Sequence, residues 1–372
     1  MKYYIIAGEA SGDLHGANLM RAILNQDGEA EIRFWGGDAM QEVGGTQVRH
    51  IRDLAYMGFV EVAMHLRTVL GNISFCKKDI RDFDPDVLVY IDYPGFNLKI
   101  AKYAHELGYK NVHYISPQLW AWKKGRIKTM RRDLDRLCYI LPFERDFYAK
   151  NDFPKAVYVG HPLLDAVRNF QGDDLSVANE GKPIVALLPG SRKMELKKML
   201  PPMLRLAEKF ADYHFVIAGM TLLGDRFYSP MLGGLRNVEV VYDQTYQLLS
   251  KACAAVVCSG TATLETALFN VPQVVCYRAN ALSVAIARRL IGDKIKYISL
   301  VNLIADAPVV TELIQDEVND DRVEREFLRL VKDEGARQEV LDGYAHVHEI
   351  LGDVGASERT AREVIALAKS DG

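Results

Sequence analysis

One stretch of the chain, Ala254–Tyr277, constrains the fold more than any other. It opens with the valine-rich run Ala254–Cys258 and closes with a second apolar run, Gln273–Tyr277. Short apolar runs of this kind are typical of strands buried on both faces of a sheet. Between them, the small residues Ser259–Thr263 precede a segment, Leu264–Phe269, with a helical pattern. The stretch therefore predicts a strand, loop, helix and strand of a parallel sheet.

The loop in this unit has the composition of a phosphate site. A helix N-terminus presents free amides and the positive end of the helix dipole, and this combination binds phosphate or diphosphate. The loop residues that would contact such a ligand are Ser259, Gly260, Thr261 and Thr263. Glu265, in the predicted first turn, can accept hydrogen bonds from two ribose hydroxyls. Serine and threonine also cap helices without any ligand, so this stretch alone leaves both interpretations open.

The same alternation of strand and helix extends over most of the chain. It predicts an α/β protein with two doubly wound parallel sheets, that is, two Rossmann-like domains in tandem. The predicted domains are residues 1–170 and 171–345, separated by a polar linker at 169–183, and residues 346–372 form C-terminal helices that pack on the first domain or on a partner subunit. The predicted strands are Lys2–Ala7, Ile32–Trp35, Val87–Ile91, Val112–Ile115, Arg136–Ile140, Ala156–Val159, Ile184–Leu188, His214–Ala218, Val238–Val241, Ala254–Cys258 and Gln273–Tyr277.

Composition excludes several classes of protein. A hydrophobic content of 49% with 26% charged residues is that of a globular protein with an ample core. The net charge of −3 gives no general affinity for nucleic acid. Five cysteines without a CxxC pair indicate free thiols in a reducing cytoplasm. A strand at the N-terminus and the lack of any long apolar run predict no signal peptide and only peripheral membrane contact.

In open α/β sheets, ligands bind beyond the carboxyl ends of the strands. Asp92 closes the strand Val87–Ile91, where partial burial raises the pKa of a carboxylate enough for general-base catalysis. The alternative is an aspartate that caps the turn before Pro94. Glu9 follows the first strand and is predicted to hold a sugar hydroxyl or orient the base. Ser11 either contacts substrate or caps the first helix.

Two further polar residues follow strands of the second half. Arg192 ends the sequence Pro-Gly-Ser-Arg, where a guanidinium can bind two phosphate oxygens, although a surface ion pair is the alternative. Asn302 follows a short apolar run, where its amide can contact a base or a sugar. No acidic pair of the kind that binds a metal follows a strand, so we expect neither a divalent metal nor another cofactor.

Two segments have the composition of a membrane-contacting surface. Residues 59–70 place Val62, Leu66 and Val69 on one helical face, which is either a core face or a membrane-docking face. Trp120 and Trp122 directly precede the basic residues 123–132. Tryptophan beside lysine and arginine is typical of an interfacial anchor, and a solvated basic helix is the alternative.

Taken together, these loops resemble the lipid-A-disaccharide synthase family, inverting glycosyltransferases with the two-domain GT-B fold and an active site in the cleft between the domains. The matching segments are AGEASGD (7–13), MGFVEV (57–62), IDYPGFN (91–97), HYISPQLWAW (113–122), LPFE (141–144), GHPLLD (160–165), LLPGSR (187–192), SGTATLE (259–265), YISLVNLIA (297–305) and ELIQDE (312–317). Family members often carry an acidic residue where this chain has Gly95, which leaves Asp92 as the candidate base.

The resemblance implies that UDP-2,3-diacylglucosamine donates its sugar to 2,3-diacylglucosamine 1-phosphate (lipid X), giving a β-1,6-linked disaccharide 1-phosphate and UDP. It also implies a cytoplasmic enzyme of a Gram-negative bacterium, peripheral on the inner membrane, with a homodimer as one option. Rival interpretations are another GT-B enzyme that uses UDP-N-acetylglucosamine-type donors, such as the lipid II glycosyltransferase or an epimerase, and a non-catalytic nucleotide-sugar-binding protein.

Overall fold

The structure is a computed structural model, and it describes residues 1–54, 66–120, 125–172, 174–278 and 296–370. The chain forms two compact units. The first contains Met1–Asp165 together with Asp353–Gly372, and the second contains Ala166–Gly352. The polypeptide therefore returns to the first unit after it has completed the second.

The first unit is built on a parallel sheet of seven strands in the order β3-β2-β1-β4-β5-β6-β7. These strands are β1 (Lys2–Ala7), β2 (Glu31–Gly36), β3 (Thr46–His50), β4 (Val87–Ile91), β5 (Asn111–Tyr114), β6 (Arg136–Tyr139) and β7 (Ala156–Tyr158). Its described helices are α1 (Ala10–Gln26), α2 (Asp38–Val43), α3 (Leu66–Phe83), α4 (Pro94–Glu106), α5 (Arg126–Asp133), α6 (Glu144–Lys150), α7 (Pro162–Arg168), whose last residues belong to the second unit, and the last helix of the chain.

The second unit repeats this plan with six parallel strands in the order β10-β9-β8-β11-β12-β13. They are β8 (Ile184–Leu188), β9 (His214–Gly219), β10 (Val238–Tyr242), β11 (Ala252–Cys258), β12 (Gln273–Tyr277) and β13 (Thr311–Ile314). Its described helices are α8 (Lys193–Lys209), α9 (Gly224–Leu232), α10 (Thr245–Lys251), α11 (Thr261–Leu268), α12 (Leu300–Ala305), α13 (Asp320–Lys332) and α14 (Glu334–Leu351). The predicted pair of Rossmann-like domains is confirmed.

Alternating residues of the central strand β1 supply a core on each face of the first sheet. Tyr3 and Ile5 pack on the face that carries α1, and Tyr4 and Ile6 pack on the opposite face. The last helix, α15 (Ala356–Lys369), adds Ala361, Val364 and Ile365 to the first of these cores. The C-terminal helix therefore belongs to the first unit.

Two strands are absent from the sequence-based prediction, and both lie at a sheet edge. They are β3, with the sequence Thr-Gln-Val-Arg-His, and β13, with Thr-Glu-Leu-Ile. Both of these edge strands are short and partly polar, so they lack the continuous apolar run that marks a central parallel strand. Among the described residues, no helix combines the length and the hydropathy that a membrane-spanning segment needs.

Candidate active-site residues of the two units

Asp92 lies at the carboxyl end of β4 in an unusual backbone conformation. Its φ is 44° and that of Tyr93 is 48°, so two consecutive non-glycine residues occupy the left-handed region. Such strain persists only where the surroundings hold it in place, and it is often found at functional sites. The buried amide of Asn97 donates to the Asp92 carbonyl at 2.8 Å, and the Asp92 amide donates to the carbonyl of Tyr114 at 3.0 Å. The turn is therefore fixed from two neighbouring elements.

The turn brings Asp92 close to the loop that follows β1. The ring of Tyr93 lies directly over Gly8, where a Cβ atom would stand only 2.4 Å from two ring carbons. Only glycine permits this approach. Glu9, the next residue, is the N-cap of α1 but makes no side-chain capping bond. Its carboxylate is therefore available beside Asp92.

The electrostatics of this pair favour proton transfer. Burial, and secondly the negative charge of Glu9, raise the pKa of Asp92 to about 6. A half-buried carboxylate with this pKa is ionised at neutral pH and is still basic enough to accept a proton from a hydroxyl group. The first unit can therefore supply a general base at the edge where ligands of α/β sheets bind.

Two neighbouring polar residues of α1, Ser11 and Asp13, differ in their roles. Ser11 lies in the first turn of α1, exposed and past the N-cap, so the interpretation of Ser11 as a helix cap is wrong. The carboxylate of Asp13 accepts hydrogen bonds from the amides of Gly37, Ala39 and Met40, at the start of α2. Ser11 remains available for a ligand, whereas Asp13 is fully used within the fold.

In the second unit, a cavity of about 390 Å³ lies at the carboxyl ends of the strands, and Arg192, Ser259, Gly260, Thr261 and Glu265 are among its lining residues. Helix α11 begins at its edge, three residues earlier than the sequence pattern predicts, so Glu265 lies in the second turn. The N-cap is Gly260, and no side chain caps the helix. Within the described chain, no acceptor bonds the Thr261 amide. The interpretation of the loop hydroxyls as a helix cap is therefore wrong, and the helix start is open to an anion.

Arg192 is the cationic residue of this cavity. It is the N-cap of α8, its side chain is 69% exposed, and its Nη1 lies 3.7 Å from Oε1 of Glu195. Glu195 also accepts from the Ser191 amide at 3.2 Å. Gly190, with φ of 110°, leaves room for that carboxylate, because a Cβ would lie 2.6 Å from its Oε2. An exposed ion pair of this kind is weak, so the guanidinium can exchange partners for phosphate oxygens.

The Glu265 carboxylate is held by a hydrogen bond from a neighbouring helix. The Tyr246 hydroxyl donates to Oε1 of Glu265 at 3.0 Å. Burial raises the pKa of Glu265, and the bond from Tyr246 opposes this rise. No sequence motif indicated Tyr246, which lies in helix α10.

Asn97 and Tyr93 belong to the IDYPGFN segment that the sequence analysis identified. Their roles in holding Asp92 are nevertheless visible only in the three-dimensional structure.

Other residues in the predicted site are occupied by the protein itself. The Thr263 hydroxyl donates to the Gly260 carbonyl at 2.8 Å and accepts from the Leu300 amide at 3.3 Å. Asn302 is 1% exposed, and its amide bonds Val310 at both polar atoms and also Glu312. These contacts leave Thr263 and Asn302 little capacity for a ligand, so we assign them to the support of the loop.

In the described part of the chain, no three His, Cys, Asp or Glu side chains are grouped as metal ligands would be.

The predicted membrane-facing residues are only partly described. Val62 and Trp122 lie outside the described residues, as does the side chain of Leu66. Val69 is half-buried and packs against the core of the first unit. Trp120 packs edge-on against Phe143 at 5.1 Å, with its indole nitrogen buried and unpartnered among the described residues. Val69 thus contributes to the fold, in line with the core-face alternative.

Comparison with protein families gives a match over nearly the whole chain. A family model described as lipid-A-disaccharide synthetase matches residues 3–366. The lipid-A-disaccharide synthase of Geobacter sulfurreducens is 38% identical over 373 residues, which cover 98% of this chain and 96% of the relative. That of Syntrophus aciditrophicus is 38% identical over 377 residues, covering 98% and 97%.

Solved structures share the architecture at much lower sequence identity. The UDP-GlcNAc 2-epimerase from Neisseria meningitidis, bound to UDP-GlcNAc, superposes with a TM-score of 0.69 at 12% identity, covering 98% of this chain and 100% of that one. The glycotransferase of kitacinnamycin gives 0.68 at 16% identity, covering 98% of each chain. These similarities confirm the predicted GT-B fold.

Proposed function

The chain belongs to the lipid-A-disaccharide synthase family, and on this premise we propose that it transfers 2,3-diacylglucosamine from UDP to lipid X. The products are a β-1,6-linked disaccharide 1-phosphate and UDP. The observation that carries the proposal is the uncapped start of α11, which opens into a cavity that also presents Arg192 and Glu265. These are the groups that a nucleoside diphosphate needs.

The proposed reaction is a single displacement. The Asp92 carboxylate takes the proton from the acceptor 6-hydroxyl as that oxygen attacks the anomeric carbon from the face opposite UDP. The bond between the anomeric carbon and the diphosphate oxygen breaks, and UDP leaves with the electron pair. Arg192 and the amides at the start of α11 stabilise the developing negative charge, while Glu265 accepts hydrogen bonds from the ribose hydroxyls. Ser11 is proposed as a further substrate contact. Ser259 is proposed as another, although its hydroxyl donates to the Ile298 carbonyl at 2.8 Å, so the hydroxyl can contact a ligand only as an acceptor.

The anomeric configuration of the product tests this mechanism. One displacement on an α-linked donor produces the β-1,6 linkage, which the coupling constant of the anomeric proton reports in the NMR spectrum of the isolated disaccharide. An α-linked product would contradict a single displacement.

Because cationic and dipolar groups of the protein face the diphosphate, we expect turnover without a divalent metal. The initial rate in excess EDTA should equal the rate in Mg²⁺ once ionic strength is matched. A rate that collapses in EDTA and returns with Mg²⁺ would show that Arg192 and the helix start do not suffice for the leaving group.

Replacing Glu9 with glutamine should move the acid limb of the pH profile. The Asp92 base must be ionised, and its pKa of about 6 is held up by burial and by Glu9. Removing the Glu9 charge lowers that pKa, so kcat/KM of the variant should begin to fall at a lower pH than that of the wild type. The exposed Glu31→Gln is the control. A limb that stays in place or moves upward would contradict this role of Glu9.

Both proposed substrates carry acyl chains, so we also propose peripheral contact with the cytoplasmic face of the inner membrane. Trp120 and Trp122 are the proposed anchors, and Trp120 can contribute only the exposed part of its half-buried ring, because it packs on Phe143. Flotation with anionic phospholipid vesicles tests this contact, and protein that stays at the bottom of the gradient would contradict it.

A homodimer is a further proposal. Light scattering in detergent tests it directly, because a monomeric mass would exclude it.

A further inference from the structure

The carboxylate of Glu265 is held at one oxygen only. Tyr246, at the start of α10, donates its hydroxyl proton to Oε1 at 3.0 Å. Among the described residues, no group bonds Oε2, and Glu265 lines the cavity that also holds Arg192. One oxygen of the carboxylate is therefore anchored and the other is free for a ligand.

Tyr246 is itself fixed by two aromatic rings. Its ring centroid lies 5.1 Å from that of Phe269 and 5.7 Å from that of Phe170, the latter in a nearly perpendicular arrangement. Phe170 and Phe269 also contact each other, at 5.6 Å. Edge-on contacts at these distances are the favoured geometry of aromatic pairs. These contacts hold the Tyr246 ring in place, and its hydroxyl donates to Glu265.

We propose that Tyr246 is a positioning residue that orients the free oxygen of Glu265 toward the ribose and so sets the preference of this site for a ribonucleotide over its deoxy form. The inference rests on the proposed function, because it assigns a ribose to Glu265. A deoxynucleotide lacks the hydroxyl that would donate to this carboxylate, so its binding leaves the carboxylate oxygen without a hydrogen bond. That loss is costly when the carboxylate is held in place and cannot turn toward another donor.

The charge state supports the same role. Burial raises the pKa of Glu265, and the hydrogen bond from Tyr246 opposes this rise and so favours the ionised carboxylate. Burial and the nearby Glu265 charge raise the pKa of Tyr246, which keeps its hydroxyl protonated as that donor. Of the described residues that line the cavity, the other charged ones are Arg192 and Glu195, and they pair with each other.

The test compares UDP with 2′,3′-dideoxy-UDP by calorimetry on the full-length protein. Wild type should bind UDP more tightly. Tyr246→Phe keeps the ring but removes the donor. We expect roughly tenfold weaker UDP binding, because the released carboxylate no longer presents its free oxygen to the ribose, and the loss of one hydrogen bond to a charged group costs about that much. Its affinity for dideoxy-UDP should equal that of wild type. As the pH is lowered, UDP affinity of the variant should fall at a higher pH than that of wild type.

A matched control is Tyr242→Phe, because the Tyr242 hydroxyl donates to the Asp225 carboxylate at 2.7 Å in the same unit. It should bind both nucleotides as wild type does. The inference on Tyr246 would be overturned if Tyr246→Phe bound UDP with unchanged affinity, or if it lost the same affinity for both nucleotides. In that case Glu265→Gln would still weaken UDP binding, because the proposed ribose contact of Glu265 does not depend on Tyr246. A wild type that does not distinguish the nucleotides would overturn the ribose assignment of Glu265 as well.

Discussion

Asp92→Asn is expected to lower kcat by about 10²–10⁴-fold, the usual contribution of a general base, while UDP binds with unchanged affinity. The reason is that the amide cannot take the proton of the acceptor hydroxyl. Asparagine is the right replacement, because it tolerates the left-handed backbone that Asp92 adopts at φ 44°. Its amide also retains the size of the carboxyl group, so the packing of Tyr93 over Gly8 is preserved.

The matched control is Asp38→Asn. Asp38 begins α2, after β2 of the same sheet, and its carboxylate pairs at the surface with Arg52 and His50. Asp38→Asn removes one negative charge from the same unit and leaves Asp92 unchanged, so activity should stay near that of wild type. A kcat of Asp92→Asn near the wild-type value would exclude Asp92 as the base, whereas a loss of UDP binding would place Asp92 in nucleotide recognition instead.

The second large effect is expected from Arg192→Ala, which should bind UDP roughly 10- to 100-fold more weakly and have a lower kcat. The loss of affinity is expected because hydrogen bonds to charged groups contribute about 1.5–3 kcal/mol. The guanidinium is exposed and its partner Glu195 lies 3.7 Å away, so little folding stability depends on it. The wild-type melting temperature should therefore be retained. Calorimetry with UDP measures the affinity.

Lys193→Ala is the control for Arg192→Ala. Lys193 is the adjacent, exposed residue and carries the same charge, but it does not line the cavity. The comparison separates a direct contact between Arg192 and phosphate from the effect of any positive charge near the start of α8. Equal losses of UDP affinity in the two variants would show that Arg192 acts only through its charge at a distance. Unchanged UDP affinity in Arg192→Ala would show that Arg192 is not part of the site. Arg192→Lys should fall between, since lysine cannot bind two phosphate oxygens in parallel.

The sequence predicts the central strands of each sheet well, but at the sheet edges it finds β7 and β10 and misses β3 and β13. Val87–Ile91 and Ile184–Leu188 coincide with the observed strands, because only a strand covered on both faces is apolar at every position. Helix starts are less predictable. The small residues before Leu14 and Leu264 have a composition typical of loops, yet α1 begins at Ala10 and α11 at Thr261.

The candidate site is predictable in part, for a different physical reason. The residues that follow central strands, such as Asp92 and Arg192, can be placed from topology, since parallel strands end at one edge. Whether a polar side chain is free or occupied depends on partners distant in sequence. Asn302 is engaged by Val310 and Glu312, and the pairing of Tyr246 with Glu265 joins α10 to α11 across β11. No local pattern encodes such pairings.

The measurement that tests the central claim most directly is UDP release from UDP-2,3-diacylglucosamine in detergent micelles, with and without lipid X. The proposed function predicts release that depends on lipid X, together with a product whose mass is that of the tetra-acylated disaccharide 1-phosphate. UDP that is bound tightly but never released in the presence of lipid X would contradict the proposed transfer and leave this chain with a nucleotide-binding role.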